Sequence, residues 1–77
     1  MYEAIDKKRI GRELKDLRRE RGITAEELAK AIGTTQSAVA MYEGGNRIPR
    51  DEIKIRIADF FERPVESIFF AIKSNRM

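Results

Sequence analysis

The chain has no cysteine and no histidine. Without cysteine there is no disulfide staple and no thiolate site. The remaining ingredients of catalysis are also thin. There is no Gly-rich phosphate loop, and no paired carboxylates fall on a cleft-forming scaffold, so neither enzymatic activity nor a metal or cofactor is expected. Long apolar runs are missing too, since nothing approaches the roughly 18 residues of a membrane span. The first residues, MYEAIDKKR, carry Glu3 and Asp6 and no apolar core, which is not the pattern of a signal peptide. A cytoplasmic location is the expectation. Internal repeats and low-complexity segments are absent, and proline occurs twice.

What is present fits one small domain. At 77 residues the chain is near the lower limit for a self-sufficient hydrophobic core, and its 42% hydrophobic content excludes disorder as the default. One domain over residues 1–77 is expected, with loose ends at about 1–5 and 74–77. Sixteen Lys and Arg against thirteen Asp and Glu give a net charge of +3. That balance is compatible with a polyanionic partner and says little alone.

Five helices can be traced from apolar spacing and caps, so the fold class is all-α. Asp6 can cap a first helix running to about Arg21, with Ile10, Leu14 and Leu17 as its buried stripe. Arg18 follows Leu14 by four residues and lies only about 40° from it around the helix, at the edge of that stripe. A charge there must find an acid, because an unpaired buried charge is costly. Most other charges of this helix read as a solvated face, while a few, such as Arg9 or Arg12, could approach phosphates. Gly22 ends it. Thr24-Ala25-Glu26-Glu27 is a capping box, with Ile23 and Leu28 placed to close it as a hydrophobic staple.

The second helix carries Leu28, Ala29 and Ile32, and Gly33 stops it where a residue free to take positive φ is wanted. Thr35 can cap the third helix, Gln36 to Glu43. That helix shows Gln36, Ser37, Ala40 and Met41 outward and has no charge before Glu43. Such a surface is a poor solvent face and a good groove-reading face. A turn-rich loop follows, Gly44 to Arg50, made locally basic by Arg47 and Arg50. A fourth helix is expected from Asp51 to about Phe61, with Ile53, Ile57 and Phe60 or Phe61 inward. A short fifth helix is expected from Val65 to Ile72. Its apolar residues cover too much of the circumference for one core. Phe70 and Ile72, with Phe61, therefore read either as a dimer surface or as closure of a small core.

These residues resemble the Cro and phage-repressor type of helix-turn-helix proteins, also called the XRE family. The resemblance covers about Ile10 to Phe70 and rests on a linked pattern: Leu17-Arg18 before Gly22, Glu27-Leu28-Ala29 before Ile32-Gly33, then Thr34-Thr35-Gln36-Ser37, Val39, Tyr42-Glu43 and Gly45-Asn46-Arg47-Ile48-Pro49. Val65-Glu66-Ser67-Ile68-Phe69 is similar to the family's last helix. The resemblance implies a compact five-helix, lambda-repressor-like DNA-binding domain with its helix-turn-helix at residues 25–44.

It further implies a buried Arg–Glu pair, for which Arg18 and Glu43 stand at the matching positions. The third helix would enter the major groove of double-stranded DNA, with Gln36, Ser37, Ala40 and Met41 reading bases. Thr35, Asn46, Arg47 and Arg50 would hold phosphates. Such a protein would be a small transcriptional regulator, with repression the simpler expectation. It would be nucleoid-associated and act as a homodimer on a palindromic or pseudo-palindromic site whose half-sites lie about 34 Å apart. No small-molecule ligand is evident.

The chain departs from the family pattern at three places. Ala25 stands where a polar phosphate-clamping residue is common, Gly44 where Asn is common, and Arg50 where a Ser or Thr cap is usual. Two other readings remain compatible with the residues. One is an antitoxin-type autoregulator of a toxin–antitoxin pair. The other is a protein-binding adaptor that kept the fold, a reading favoured by the uncharged third helix.

Overall fold

The computed structural model describes residues 6–70. They form α1 (Lys7–Glu20), α2 (Ala25–Ile32), α3 (Gln36–Glu43), α4 (Asp51–Phe61) and α5 (Val65–Phe69). Each start has a local cause. The Asp6 carboxylate accepts from the backbone N–H groups of Lys8 and Arg9, both at 3.1 Å, and opens α1. Thr24 and Glu27 bond reciprocally at the start of α2: the Thr24 hydroxyl accepts from the Glu27 N–H at 3.1 Å, and Glu27 Oε1 accepts from the Thr24 N–H at 2.8 Å. The Thr35 hydroxyl accepts from the Ala38 N–H at 3.1 Å and opens α3. At α4 no side chain caps the helix, and Asp51 and Glu52 in its first turn meet the positive end of the dipole instead.

The stops are equally specific. Gly33 takes φ +76°, and the N–H of Thr34 reaches back to the Ala29 carbonyl at 2.9 Å. The chain thus turns sharply between α2 and α3 with its last carbonyls satisfied. At the end of α4 the same geometry falls on a glutamate. Glu62 sits at φ +57°, and Arg63 N–H bonds the Ala58 carbonyl at 3.0 Å.

The core is one cluster drawn from all five helices: Ile10, Leu14 and Leu17 of α1, Leu28, Ala29 and Ile32 of α2, Val39 and Tyr42 of α3, Ile53, Ile57, Ala58 and Phe61 of α4, and Ile68 and Phe69 of α5. Helix α3 lies across α1 and α2, α4 packs on α2 and α5, and α5 returns to α1. Arginines tie the helices together at their carbonyl ends. Arg21 Nη2 donates to the Phe60 carbonyl at 3.0 Å, Arg9 Nη2 to Ile68 at 3.1 Å and Arg56 Nη1 to Ile32 at 3.4 Å. Each meets carbonyls that a helix end leaves without an intrahelical partner.

Two expectations about the C-terminal helices need correction. Phe61 is 6% exposed and belongs to the core, not to a dimer surface. It lies one helical turn after Ile57, on the same inward face, with Phe60 edge-on at 5.0 Å and the Arg21 guanidinium over its ring at 5.4 Å. Helix α5 ends at Phe69, shorter than the apolar run implied, and Phe70 is already in a bend. Ile72 lies outside the described residues. Phe70 is exposed, yet the ammonium of Lys54, a largely buried lysine, sits 4.8 Å from its ring centroid. Among the described residues no helix is long and apolar enough to cross a membrane.

Candidate nucleic-acid interface

Helix α3 divides cleanly into two sides. Val39, with no exposed surface, and Tyr42 point into the core and fix the helix on α1 and α2. Gln36, Ser37, Ala40 and Met41 are all exposed, Met41 at 43%. The outward surface is therefore an amide, a hydroxyl, a methyl and a thioether, with no charge. These groups match what a major groove offers: Gln can pair bidentately with adenine N6 and N7, Ser can bond a base or phosphate, and apolar groups can meet thymine methyls.

Exposed donors flank this surface. The Thr35 hydroxyl oxygen accepts the α3 cap bond, which leaves its proton free to donate. Asn46, Arg47 and Arg50 are exposed, and neither arginine forms a salt bridge with another described residue. Arg50 occupies the cap position of α4 without a side-chain cap bond. Ala25 is half-buried, its methyl packed against the core.

The end of α3 is bolted to α1. Arg18 Nε donates to Glu43 Oε2 at 2.7 Å and Nη2 donates to Oε1 at 3.1 Å, a bidentate pair. Arg18 Nη1 donates to the Ile23 carbonyl at 2.8 Å, so one guanidinium joins three segments. The side chains of Arg18 and Glu43 are 15% and 9% exposed. The hydrogen bond to Glu43 holds the Arg18 guanidinium above its ordinary pKa, against the opposing effect of burial.

Residues outside the expected site complete it. Arg56 of α4, held by Glu52 at 2.8 Å, reaches the last carbonyl of α2 beside Gly33 and so braces the turn between α2 and α3. Gly11, buried within α1, faces the Tyr42 and Glu43 carbonyls, and Lys8 lies over Gly45. The sequence offered one signal for Gly11, a glycine inside an otherwise regular helix next to the apolar stripe. Arg56 carried none, because its partner is a backbone carbonyl distant in sequence. Among the described residues no group of acidic side chains is gathered to hold a metal.

A family model described as Helix-turn-helix matches residues 14–68. The chain belongs to this family, the helix-turn-helix proteins of the Cro and phage-repressor type. Its family and fold are those of DNA-binding transcriptional regulators rather than of enzymes. The HTH-type transcriptional regulator YgzD of Bacillus subtilis, itself uncharacterized, is 29% identical over 62 residues, covering 80% of this chain and 94% of that protein. A protein of Pyrococcus horikoshii named as an HTH-type transcriptional regulatory protein, PH1808, is 33% identical over 55 residues. That match covers 71% of this chain but 18% of PH1808, so this chain spans less than a fifth of that protein.

Among solved structures, the restriction-modification controller protein C.AhdI from Aeromonas hydrophila is similar, with a TM-score of 0.76 and 26% identity over 83% of this chain and 93% of that one. The P22 c2 repressor protein in complex with synthetic operator 9T superposes with a TM-score of 0.78, covering 82% of this chain and 96% of that one. At 16% identity the latter likeness speaks for the fold alone.

Proposed function

We propose that this chain represses transcription by binding a specific double-stranded DNA site, with α3 in the major groove. The observation that carries this reading is the composition of the exposed side of α3. Gln36, Ser37, Ala40 and Met41 are exposed and uncharged on a helix held rigidly from behind by Val39, Tyr42 and Glu43. Charge lies just beyond, on Arg47 and Arg50. Gln36 and Ser37 contact bases, Ala40 and Met41 contact thymine methyls, and Thr35, Asn46, Arg47 and Arg50 hold phosphates. Occupation of a promoter by such a protein excludes polymerase. The protein works in the cytoplasm on nucleoid DNA, as a homodimer on a palindromic or pseudo-palindromic site, with the exposed Phe70 ring contributing to the contact between copies.

Selection of duplexes from a random pool, combined with the protein's mass in solution, tests the whole reading. Enrichment of a palindrome whose half-sites are about one helical turn apart, with a dimer mass, is the expected result. Failure to enrich any sequence, together with no salt-dependent binding of random duplex, would overturn it, because a DNA binder keeps a nonspecific phosphate component. A monomer mass at high concentration would remove the dimer.

A further inference from the structure

We infer that Gly11 is a positioning residue for DNA reading: its bare Cα lets α1 seat the backbone at the end of α3, and this seat aims the recognition helix. The inference rests on the proposed reading of DNA by α3. Gly11 lies in mid-helix and is not among the glycines at positive φ, so its backbone makes no demand for glycine. On helix propensity alone, alanine at such a position is favoured. The demand comes from across the helix pair. A Cβ at Gly11 would stand 2.5 Å from the Glu43 carbonyl oxygen, 2.6 Å from that of Tyr42 and 2.9 Å from the Glu43 carbonyl carbon. All three atoms are backbone, so no side-chain rotation relieves the contact.

The approach continues one turn earlier on the same side of α1. A Cβ at Gly45 would stand 2.9 Å from Lys8 Cγ and 3.1 Å from Lys8 Cα. Helix α1 therefore bears on residues 42–45 along two of its turns, while the Arg18–Glu43 pair closes the same junction farther along. What moves this junction moves α3 and the loop that carries Asn46 and Arg47. With alanine at position 11 the helices must part by roughly an ångström before ordinary contact is regained. Base reading by short side chains tolerates about half that displacement.

The test compares Gly11→Ala with the wild type and with Gly22→Ala. Gly22 has φ +68° and no neighbouring atom within 4 Å of a would-be Cβ, so its alanine variant carries backbone strain without displacing α3. Binding of each protein to the duplex recovered by selection and to random duplex is measured by fluorescence anisotropy. The wild type and Gly22→Ala should share one ratio of specific to nonspecific affinity. Gly11→Ala should lower that ratio by about tenfold, the worth of one good base contact, while its binding to random duplex persists.

Should Gly11→Ala be unfolded in buffer, the two affinities are measured in trimethylamine N-oxide, which favours the compact state. A variant that stays unfolded even there assigns Gly11 to the fold alone and overturns the proposal, as does an unchanged ratio. If the wild type itself fails to discriminate, the reading by α3 falls. If the wild type discriminates and Gly11→Ala does so equally well, only the positioning role falls.

Discussion

Replacing Arg18 by methionine tests whether α3 is held by a specific ion pair or merely by the core beneath it. Methionine keeps an unbranched apolar stem like that of arginine and removes the guanidinium with its donors. Three hydrogen bonds disappear: two to Glu43, at 2.7 and 3.1 Å, and one to the Ile23 carbonyl at 2.8 Å. The larger penalty is what stays behind, a Glu43 side chain only 9% exposed and without its cation. Removing one partner of a fully buried pair costs about 3–5 kcal/mol. Arg18 at 15% exposure marks the edge of the core, where water can enter, so about 2–4 kcal/mol is expected here. A chain of 77 residues has a total stability of about 4–12 kcal/mol, so the loss would take a large share of it.

The double variant Arg18→Met with Glu43→Leu removes the stranded carboxylate as well. It should lie within about 1 kcal/mol of the wild type, because a well-packed apolar pair can replace a buried ionic one. Urea unfolding followed by circular dichroism measures both variants. A single-variant loss below about 0.5 kcal/mol, the size of an ordinary surface substitution, would refute the assignment. A double variant no better than Arg18→Met would refute it too, by showing that the stranded charge is not the cost. Affinity for the selected duplex should follow the single variant downward beyond what its unfolded fraction explains, since the pair also fixes the end of α3.

Gln36→Ala should cost roughly 1–3 kcal/mol on the selected duplex and almost nothing on random duplex; equal binding to the selected duplex by the two proteins would remove Gln36 as a reader. Arg47→Ala should weaken binding to every sequence alike and lower the slope of log affinity against log salt by about one unit in a titration series. Glu62→Gly should raise stability by roughly 0.5–1 kcal/mol in urea, because glycine escapes the left-handed penalty at φ +57° and gives back part of it as chain entropy. The Arg18 pKa is raised, so its contribution is fully present below the ordinary arginine value and is lost only as pH climbs through the raised one. With no histidine or cysteine to titrate, the thermal midpoint should be level from about pH 6 to pH 9, and a drift beyond about 3 °C would contradict this.

Local chemistry was the most legible part of the sequence. Asp6, Thr24, Thr35 and Gly33 act within three or four residues of themselves, and the helix bounds they imply agree closely with those observed. Arg18 was legible for a related reason, since its place at the edge of a buried stripe demands a partner whatever the fold. Phe61 was left open between core and dimer surface because the apolar surplus of the C-terminal helices was judged without knowing that Arg21 reaches across to its ring. Arg56 stayed hidden because it acts on a backbone carbonyl 24 residues away, and carbonyls leave no mark in a sequence; Gly11 left only the mark of a glycine inside a regular helix, its partners being carbonyls of α3. Arg9, a cation that the sequence left open to a phosphate, instead donates to the Ile68 carbonyl at the end of α5.

The fate of the arginines changes what the basic composition means for DNA. Of sixteen Lys and Arg, Arg9, Arg21 and Arg56 donate to helix-end carbonyls, Arg18 is held by Glu43, and Lys54 lies under Phe69 and Phe70. These cations tie helix to helix in a small domain, Arg18 and Lys54 from largely buried positions and Arg21 and Arg56 from exposed ones. Fewer cationic side chains are therefore free to meet a phosphate backbone than the sequence count implies. With α3 uncharged on its outer side, the proposed phosphate contacts depend on the loop that runs from Gly44 to Arg50. On the proposed reading, sequence discrimination would belong to the neutral helix and affinity to the basic loop beside it. A variant that adds a lysine on the outer side of α3 should then gain binding to all DNA and lose discrimination, because a point charge rewards every phosphate it meets.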